Sequence, residues 1–277
     1  MKRLDKLLLE QGLVSSRTQA QKLIAAGAVS VCIAGQKQTI DKPSVKLSDE
    51  TEISVEDIDE LKYLSRAGLK LESAFAQLQS SGFLASPESL LGGATVLDIG
   101  QSTGGFTDFA LQKGASKVVG VDVGHNQLHR SLREHNRVVC LEGVNARNLP
   151  AADLLQYSPD GYDLVVMDIS FISQTLVAPH LAACLKPKGL VLSLVKPQFE
   201  VGKDGIGKGG IVRDRQSLDG AERKVKQSYA QCHLKPLAYC PSAIKGADGN
   251  QEFFLLAGLA DNEHVAEDCN TKADDGT

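Results

Sequence analysis

The sequence predicts an α/β chain: a doubly wound, seven-stranded, Rossmann-like sheet over residues 65–260, preceded by a small α+β module over residues 1–60. Three observations predict it. From Thr95 onward, short apolar runs alternate with stretches of helical spacing, the pattern of a parallel sheet covered on both faces. The first of those runs, TVLDI, ends in the glycine turn Gly100–Gly105 and leads straight into a helical stretch, which is how open α/β sheets build their ligand crevices. Charge is also divided unevenly. Residues 1–47 hold eight Lys and Arg against three acids, whereas Asp49–Glu60 holds seven acids and no base, which marks the first segment as separate in character.

In chain order, MKRLDKLLLEQGL sets Leu4, Leu7, Leu8 and Leu13 at helical spacing and stops at Gly12. Ser15 and Ser16 offer an N-cap to a second helix, SRTQAQKLIAAG, ending at Gly27. VSVCIAG and TEISV then read as short strands, and Leu61–Leu64 as a linker. Ser65 caps a helix that Gly82 ends, with Leu69, Ser73, Ala76 and Leu78 on its apolar stripe; Lys70 on this helix is by composition an ordinary surface lysine. Strands are expected at Thr95–Ile99, Lys117–Val121, Val138–Glu142, Asp163–Asp168, Leu190–Val195, Leu237–Cys240 and Glu252–Leu259. Helices are expected near Phe106–Lys113, Gln127–Arg133, Ser173–Leu185 and Asp214–His233. The connection PSAIKGADGN is short and contains glycine, so the last two strands should form an antiparallel hairpin at one edge. Residues 261–277 are polar, with six acids and one lysine, and are expected to be disordered.

Composition excludes several classes. No apolar run reaches the roughly 18 residues a membrane helix needs, and charges interrupt the apolar start, which makes a poor signal peptide. The six cysteines include no CxxC pair and read as reduced thiols of a cytoplasmic protein. His125 and His129 could share a helix face but have no third ligand, so no metal site is expected. The net charge of −4 alone argues against nucleic acid, but the basic residues Arg3, Lys6, Arg17 and Lys22 of the amino-terminal module argue for it.

The glycine turn admits a dinucleotide, S-adenosylmethionine, or no ligand. Its spacing is GxxxGG, so the dinucleotide fingerprint fails. Asp98 stands at the strand end before Gly100, and a carboxylate there suits a cationic ligand such as the amino group and sulfonium of S-adenosylmethionine. Asp122, near the end of the second strand, is where an acid usually accepts from ribose hydroxyls. Asp168 and Lys196 end two further strands, in DLVVMD and SLVKP, and make a candidate acid–base pair; a structural salt bridge is the alternative. Glu252 begins the last strand. Val195–Asp214 is glycine-rich and carries Lys203, Lys208 and Arg213. It narrowly misses a GxxxxGK phosphate loop because Gly209 stands where Ser or Thr is needed. It reads as a basic substrate loop that orders on RNA, or as a plain surface loop.

Two resemblances add to this. Arg3-Leu4-Asp5, Leu8, Gly12, Ser15-Ser16-Arg17, Gln19-Ala20, Ile24, Gly27, Val29, Gly35 and Pro43 resemble the RNA-binding module first seen in a small-subunit ribosomal protein. This implies contact with the shape and phosphates of structured RNA. YLSRAGLKL, VLDIGQSTGGFTD, DLVVMDISFIS, VKPQFEVGKDGIGKGGIVRD and GNQEFF, in that order, resemble the hemolysin-A (TlyA) family, ribosomal RNA 2′-O-methyltransferases with the fold of the heat-shock methyltransferase FtsJ. The resemblance implies a catalytic Lys–Asp–Lys–Glu set, matched by Lys70, Asp168, Lys196 and Glu252, and cytidine in small- or large-subunit rRNA as substrate. On this reading Lys196 lies closest to the ribose hydroxyl. Asp98 and the loop Gly100, Ser102, Thr103, Gly104, Gly105, Phe106 and Thr107 hold the methionine end of the cofactor. Asp122 takes its ribose, and Asn145, Arg147 and Met167 its adenine side. Gln101 departs from the family, which commonly has a small residue there, as does RAGL at Arg66–Leu69, where a second glycine and a tyrosine are common. The rival readings are a non-catalytic ribosome-assembly factor, which would not need the four charged residues, and a cytolysin, against which the absence of a membrane span argues.

Overall fold

The computed structural model describes residues 1–14, 16–25, 27–33, 36–55, 62–202 and 205–260. The expected cap Ser15, Gly35, the linker residue Leu61, Lys203 and the acidic tail from Asp261 lie outside the described residues. The chain divides after Leu69 into two compact units.

The first unit opens with β1 (Lys2–Arg3), which pairs with β4 (Lys46–Leu47), followed by α1 (Leu4–Glu10) and α2 (Arg17–Ala25). The hydroxyl of Ser16 accepts from the Gln19 amide and caps α2. β2 (Val29–Ile33), β3 (Gln36–Thr39) and β5 (Ile53–Val55) form an antiparallel sheet in the order β3-β2-β5. Leu4, Leu7, Leu8, Leu23, Ile24, Val29 and Val31 pack as its core. The expected helix over Met1–Leu13 starts later than its apolar spacing suggests, because Lys2 and Arg3 are taken by the strand pairing.

α3 (Arg66–Ser80) leads into the second unit. Its buried stripe is Leu71, Ala74, Phe75 and Leu78; Ala76 faces outward and Leu69 and Ser73 are half-buried, so the expected stripe is off by part of a turn. Phe75 claims the core face by packing on Phe109, with ring centroids 5.2 Å apart. There follow α4 (Pro87–Leu91), β6 (Thr95–Ile99), α5 (Gly105–Gln112), β7 (Lys117–Asp122), α6 (Arg130–Arg133), β8 (Val138–Glu142), α7 (Ala151–Leu154) and β9 (Tyr162–Met167). Then come α8 (Ala178–Leu181), β10 (Leu185–Val195), α9 (Pro197–Glu200), α10 (Arg215–Gln231), β11 (Leu234–Pro241) and β12 (Phe253–Leu259).

The seven strands run in the order β11-β12-β10-β9-β6-β7-β8, with β12 antiparallel to both neighbours. The reversed strand and the terminal hairpin stand as expected. The inner strands read as unbroken apolar runs because both of their faces are covered: Val96, Leu97, Val119, Leu164, Val165, Val166, Leu192 and Leu194 are all fully buried.

Two expected helices are shorter. Gln127–Arg133 shrinks to α6, since Asn126 takes a left-handed φ of 57° and its amide is captured by Glu142. Ser173–Leu185 breaks into a turn, α8 and a second turn, with Pro179 in the first turn of α8. There Gln174 is buried; its amide donates to the Leu194 carbonyl and accepts from Ser193 and Tyr229. A polar network under the sheet outweighs helix propensity at this point.

Register sets the rim of the site. Ile99 lies beside both Val121 and Met167, Met167 beside Ser193, and Val195 beside Phe253. The carboxyl ends of β6, β7, β9 and β10 and the amino end of β12 therefore share one edge. Gly100, Asp122, Asp168, Lys196 and Glu252 stand along it.

Candidate active site

Two lysine–carboxylate pairs occupy the middle of this rim. Lys196 Nζ lies 2.6 Å from Asp168 Oδ1 and donates to Ser170 Oγ at 2.9 Å. Lys70 Nζ donates to Glu252 Oε2 at 2.5 Å, and both residues are buried. Lys70 comes from α3, 182 positions before Glu252, so it is no surface lysine. Because Val195 pairs with Phe253 across antiparallel strands, Lys196 and Glu252 are opposite one another at the strand ends. The four residues are thus gathered from one helix and three strands.

Beside them is a cleft of about 430 Å³. It is lined by the turns after β6, β7, β8 and β9, among them Gly100, Ser102, Asp122, Asn145 and Asp168. Gly100 has φ 85°, and a side chain there would put its Cβ 2.4 Å from the Asp168 carbonyl oxygen, so only glycine lets the two loops meet. Asp122 joins neighbouring loops: one oxygen accepts from the Ser102 amide and the other from the Gly124 amide, each at 2.7 Å. A carboxylate oxygen can accept more than one bond, so both keep capacity for ligand hydroxyls.

Asp98 is buried, and its Oδ2 accepts from Thr107 Oγ1 at 2.7 Å while Oδ1 has no hydrogen-bond partner among the described residues. Burial, with the nearby charges of Asp168 and Asp122, pushes its carboxyl up to about 7 against the hydrogen bond from Thr107. Gln101 is buried above Gly120. Its Nε2 donates to Thr107 and its Oε1 is unpartnered among the described residues. A turn with two unsatisfied buried acceptors is electrostatically prepared for a donor-rich cationic group, and the amino group of S-adenosylmethionine is one. The residues present fit that cofactor.

The other sequence candidates divide. Thr103 is exposed, Gly104 and Gly105 are buried at the start of α5, and Thr107 is buried and donates to Asp98. The side chains of Phe106 and Met167 lie in the core, Phe106 against Phe254 with centroids 6.4 Å apart; like Asp98, Thr103, Gly104, Gly105 and Thr107 they do not line the cleft, whereas Arg147 does. Val123, Gln127, Val144 and the run Ile169–Ile172 do line it and were missed. ISFIS directly after Asp168 was a readable signal, since apolar residues past a strand end have no sheet to bury them. His125 and His129 precede α6, with His129 as its cap, so they share no helix face. Among the described residues no group of three His, Cys, Asp or Glu could hold a metal.

In the first unit, Arg3 and Arg17 both donate to the fully buried Asp5, at 3.0 and 2.9 Å, and Gln21 adds a further donor at 3.1 Å. Lys6 and Lys22 are exposed, as are Lys208 and Arg213 in the second unit.

Comparison with known proteins gives the following. Residues 63–259 match the FtsJ-like methyltransferase family and residues 2–53 the S4 domain. The 16S/23S rRNA (cytidine-2′-O)-methyltransferase TlyA of Mycobacterium tuberculosis is 38% identical over 253 residues, 91% of this chain and 88% of that protein. Hemolysin A of Brachyspira hyodysenteriae is 39% identical over 251 residues, 91% of this chain and 97% of that protein. The solved structure of a Streptococcus thermophilus protein superposes with a TM-score of 0.66 at 37% identity, covering 94% of this chain and 89% of that one. No helix among the described residues is long and apolar enough to cross a membrane.

Proposed function

The chain belongs to the FtsJ-like methyltransferases, in the hemolysin-A (TlyA) family that joins this domain to an S4 domain, and on that premise we propose that it methylates the 2′-hydroxyl of cytidine ribose in ribosomal RNA, with S-adenosylmethionine as donor, in the cytoplasm. The observation that carries the reading is the pairing of Lys196 with Asp168 and of Lys70 with Glu252 at one sheet edge beside the cleft.

When bound, S-adenosylmethionine supplies a methyl group activated by its sulfonium charge. Asp98 and the Gly100–Thr107 turn hold its amino-acid end, Asp122 its ribose, and the turns carrying Val123 and Asn145 its adenine side. A ribose hydroxyl is a weak nucleophile, so the protein must orient it and accept its proton. Lys196 spends one N–H on Ser170 and holds Asp168 as an ion pair, and an ammonium has three N–H groups. A remaining N–H orients the hydroxyl oxygen, and the hydroxyl proton passes to the Asp168 carboxylate, because the ammonium has no lone pair to take it. Glu252, paired with Lys70, stands opposite Lys196 at the strand ends and completes the charge set. The S4 unit supplies sequence-independent grip on structured RNA through Arg3, Lys6, Arg17 and Lys22, and Lys208 and Arg213 add contacts near the acceptor.

The test is transfer of labelled methyl to isolated subunits, whole ribosomes and naked rRNA. Label is expected in alkali-resistant dinucleotides, with Lys196→Ala at least a hundredfold slower while cofactor binding is retained. Cofactor binding without transfer to any RNA would overturn the reading.

A further inference from the structure

The glycine-rich stretch that narrowly missed a phosphate-loop pattern has a different explanation in the fold. Asn250 is fully buried, and every polar group of its side chain is used. Its Oδ1 accepts from the Val212 amide at 2.9 Å, and its Nδ2 donates to the Gly210 carbonyl at 3.0 Å and to Asp248 Oδ2 at 2.8 Å. Gly210, at φ 79°, turns the chain so that its carbonyl and the Val212 amide face one side chain. The glycines of GKGG thus serve a docking turn, not an anion cradle.

Asn250 stands two residues before Glu252, and its carbonyl accepts from the Gly246 amide at 2.9 Å. A methyl group at Gly246 would come within 2.8 Å of Glu252 Oε1, so this turn is packed directly on the Lys70–Glu252 pair. Asp248, its other partner, accepts from Gln198 Nε2 at 3.2 Å, two residues past Lys196. In spite of partial burial, Asp248 is held below the usual carboxylate range by Asn250 and by the charge of Lys196. One amide therefore joins three segments: the loop bearing Lys208 and Arg213, the approach to Glu252, and the start of α9 after Lys196.

We propose that Asn250 is a positioning residue that docks the loop Gly205–Arg213 on the catalytic edge, so that Lys208 and Arg213 meet RNA in register with Lys196 and Glu252. The inference rests on the methyltransferase reading above. It assigns to this loop a fixed seat, set by a group that touches neither substrate nor cofactor. A serine keeps an acceptor at this position but reaches only one of the two backbone groups.

The test is a double-mutant cycle on the single-turnover methyl-transfer rate, with wild type in the same assay so that a failure of the enzymatic reading shows separately. Asn250→Ser is expected to bind S-adenosylmethionine and retain RNA as wild type does, and to transfer methyl at least tenfold more slowly. Lys208→Ala with Arg213→Ala should be similarly slow in the wild-type background but less than twofold slower again in the Asn250→Ser background. Losses that multiply would show that Asn250 acts by general stability and would overturn the proposal. Should the variant not fold, amide exchange of wild type decides: slow exchange at Val212 supports the docked loop, and exchange at the rate of free peptide refutes it.

Discussion

Asp5 and Asp98 are both buried carboxylates near a strand end, one in each unit, and they have opposite surroundings. Asp5 receives four donors, from Arg3, Arg17 and Gln21, and is held well below the usual carboxylate range, chiefly by Arg3. Asp98 receives one side-chain donor, keeps a bare oxygen and is pushed up to about 7. A buried charge that is saturated by its own chain is scaffolding, and here it sets two arginines on the RNA-binding unit. A buried carboxylate short of donors is costly for the chain alone, and on the proposed function the cofactor's amino group would supply them.

The largest effect should come from removing the unsatisfied acid. The folded value of Asp98 is above the unfolded one, so the folded chain binds more protons between about pH 4 and 7. Stability without cofactor therefore falls as pH rises through that window and is level above it. The gap corresponds to roughly 4 kcal/mol. Asp98→Asn is expected to unfold at higher denaturant than the parent at pH 8 and to lose the slope. Cofactor affinity should rise with pH up to about 7 in the parent and stay flat, and weaker, in the variant. A parent whose stability is level from pH 4 to 7 would break the contrast with Asp5.

Asp5 has the opposite sign. Its folded value is depressed, so its contribution is full at neutral pH, begins to fall at the ordinary carboxylate value and is lost as pH drops below it toward the folded value. Asp5→Asn leaves an acceptor for only part of the donor set and should destabilise the first unit by about 2–3 kcal/mol. RNA retention should weaken with it, while cofactor affinity stays at the parental level. Titration of unfolding and binding in the same preparation would show whether the two effects separate.

These acids also mark what the sequence disclosed. Short β-branched runs ending in Asp or Lys announced the strands and put Asp122, Asp168 and Lys196 at their tips, because a charge ending a fully apolar run has to surface at a sheet edge; Asp98, one residue inside β6, stays buried. Glu252 was visible as the charge that opens the last strand, but Lys70 carried no such mark, since its role depends on a partner 182 positions away, and only resemblance to a family picked it out. Asn250 was invisible for a related reason: a buried amide that ties two loops has no periodicity. The α3 stripe and the Ser173–Leu185 helix failed where tertiary partners, Phe109 for Phe75 and the Leu194 carbonyl for Gln174, outweighed local spacing.

The smallest and finest test falls on Gln101, which shares Thr107 with Asp98 and, like it, ends in an unpartnered buried oxygen. It fills the space above Gly120, where a Cβ would sit 2.0 Å from its amide carbon. Gln101→Met keeps that volume and removes the bare acceptor, so it should stabilise the cofactor-free chain by about 1 kcal/mol. Thr107 then keeps its bond to Asp98 and loses only the donor behind it, so the pH slope of stability should survive. If unsatisfied acceptors in this turn exist for the cofactor, the same change weakens cofactor binding severalfold, and stability and affinity move in opposite directions. If both rise together, Gln101 is a packing residue, and Asp98 alone carries the electrostatic demand of the turn.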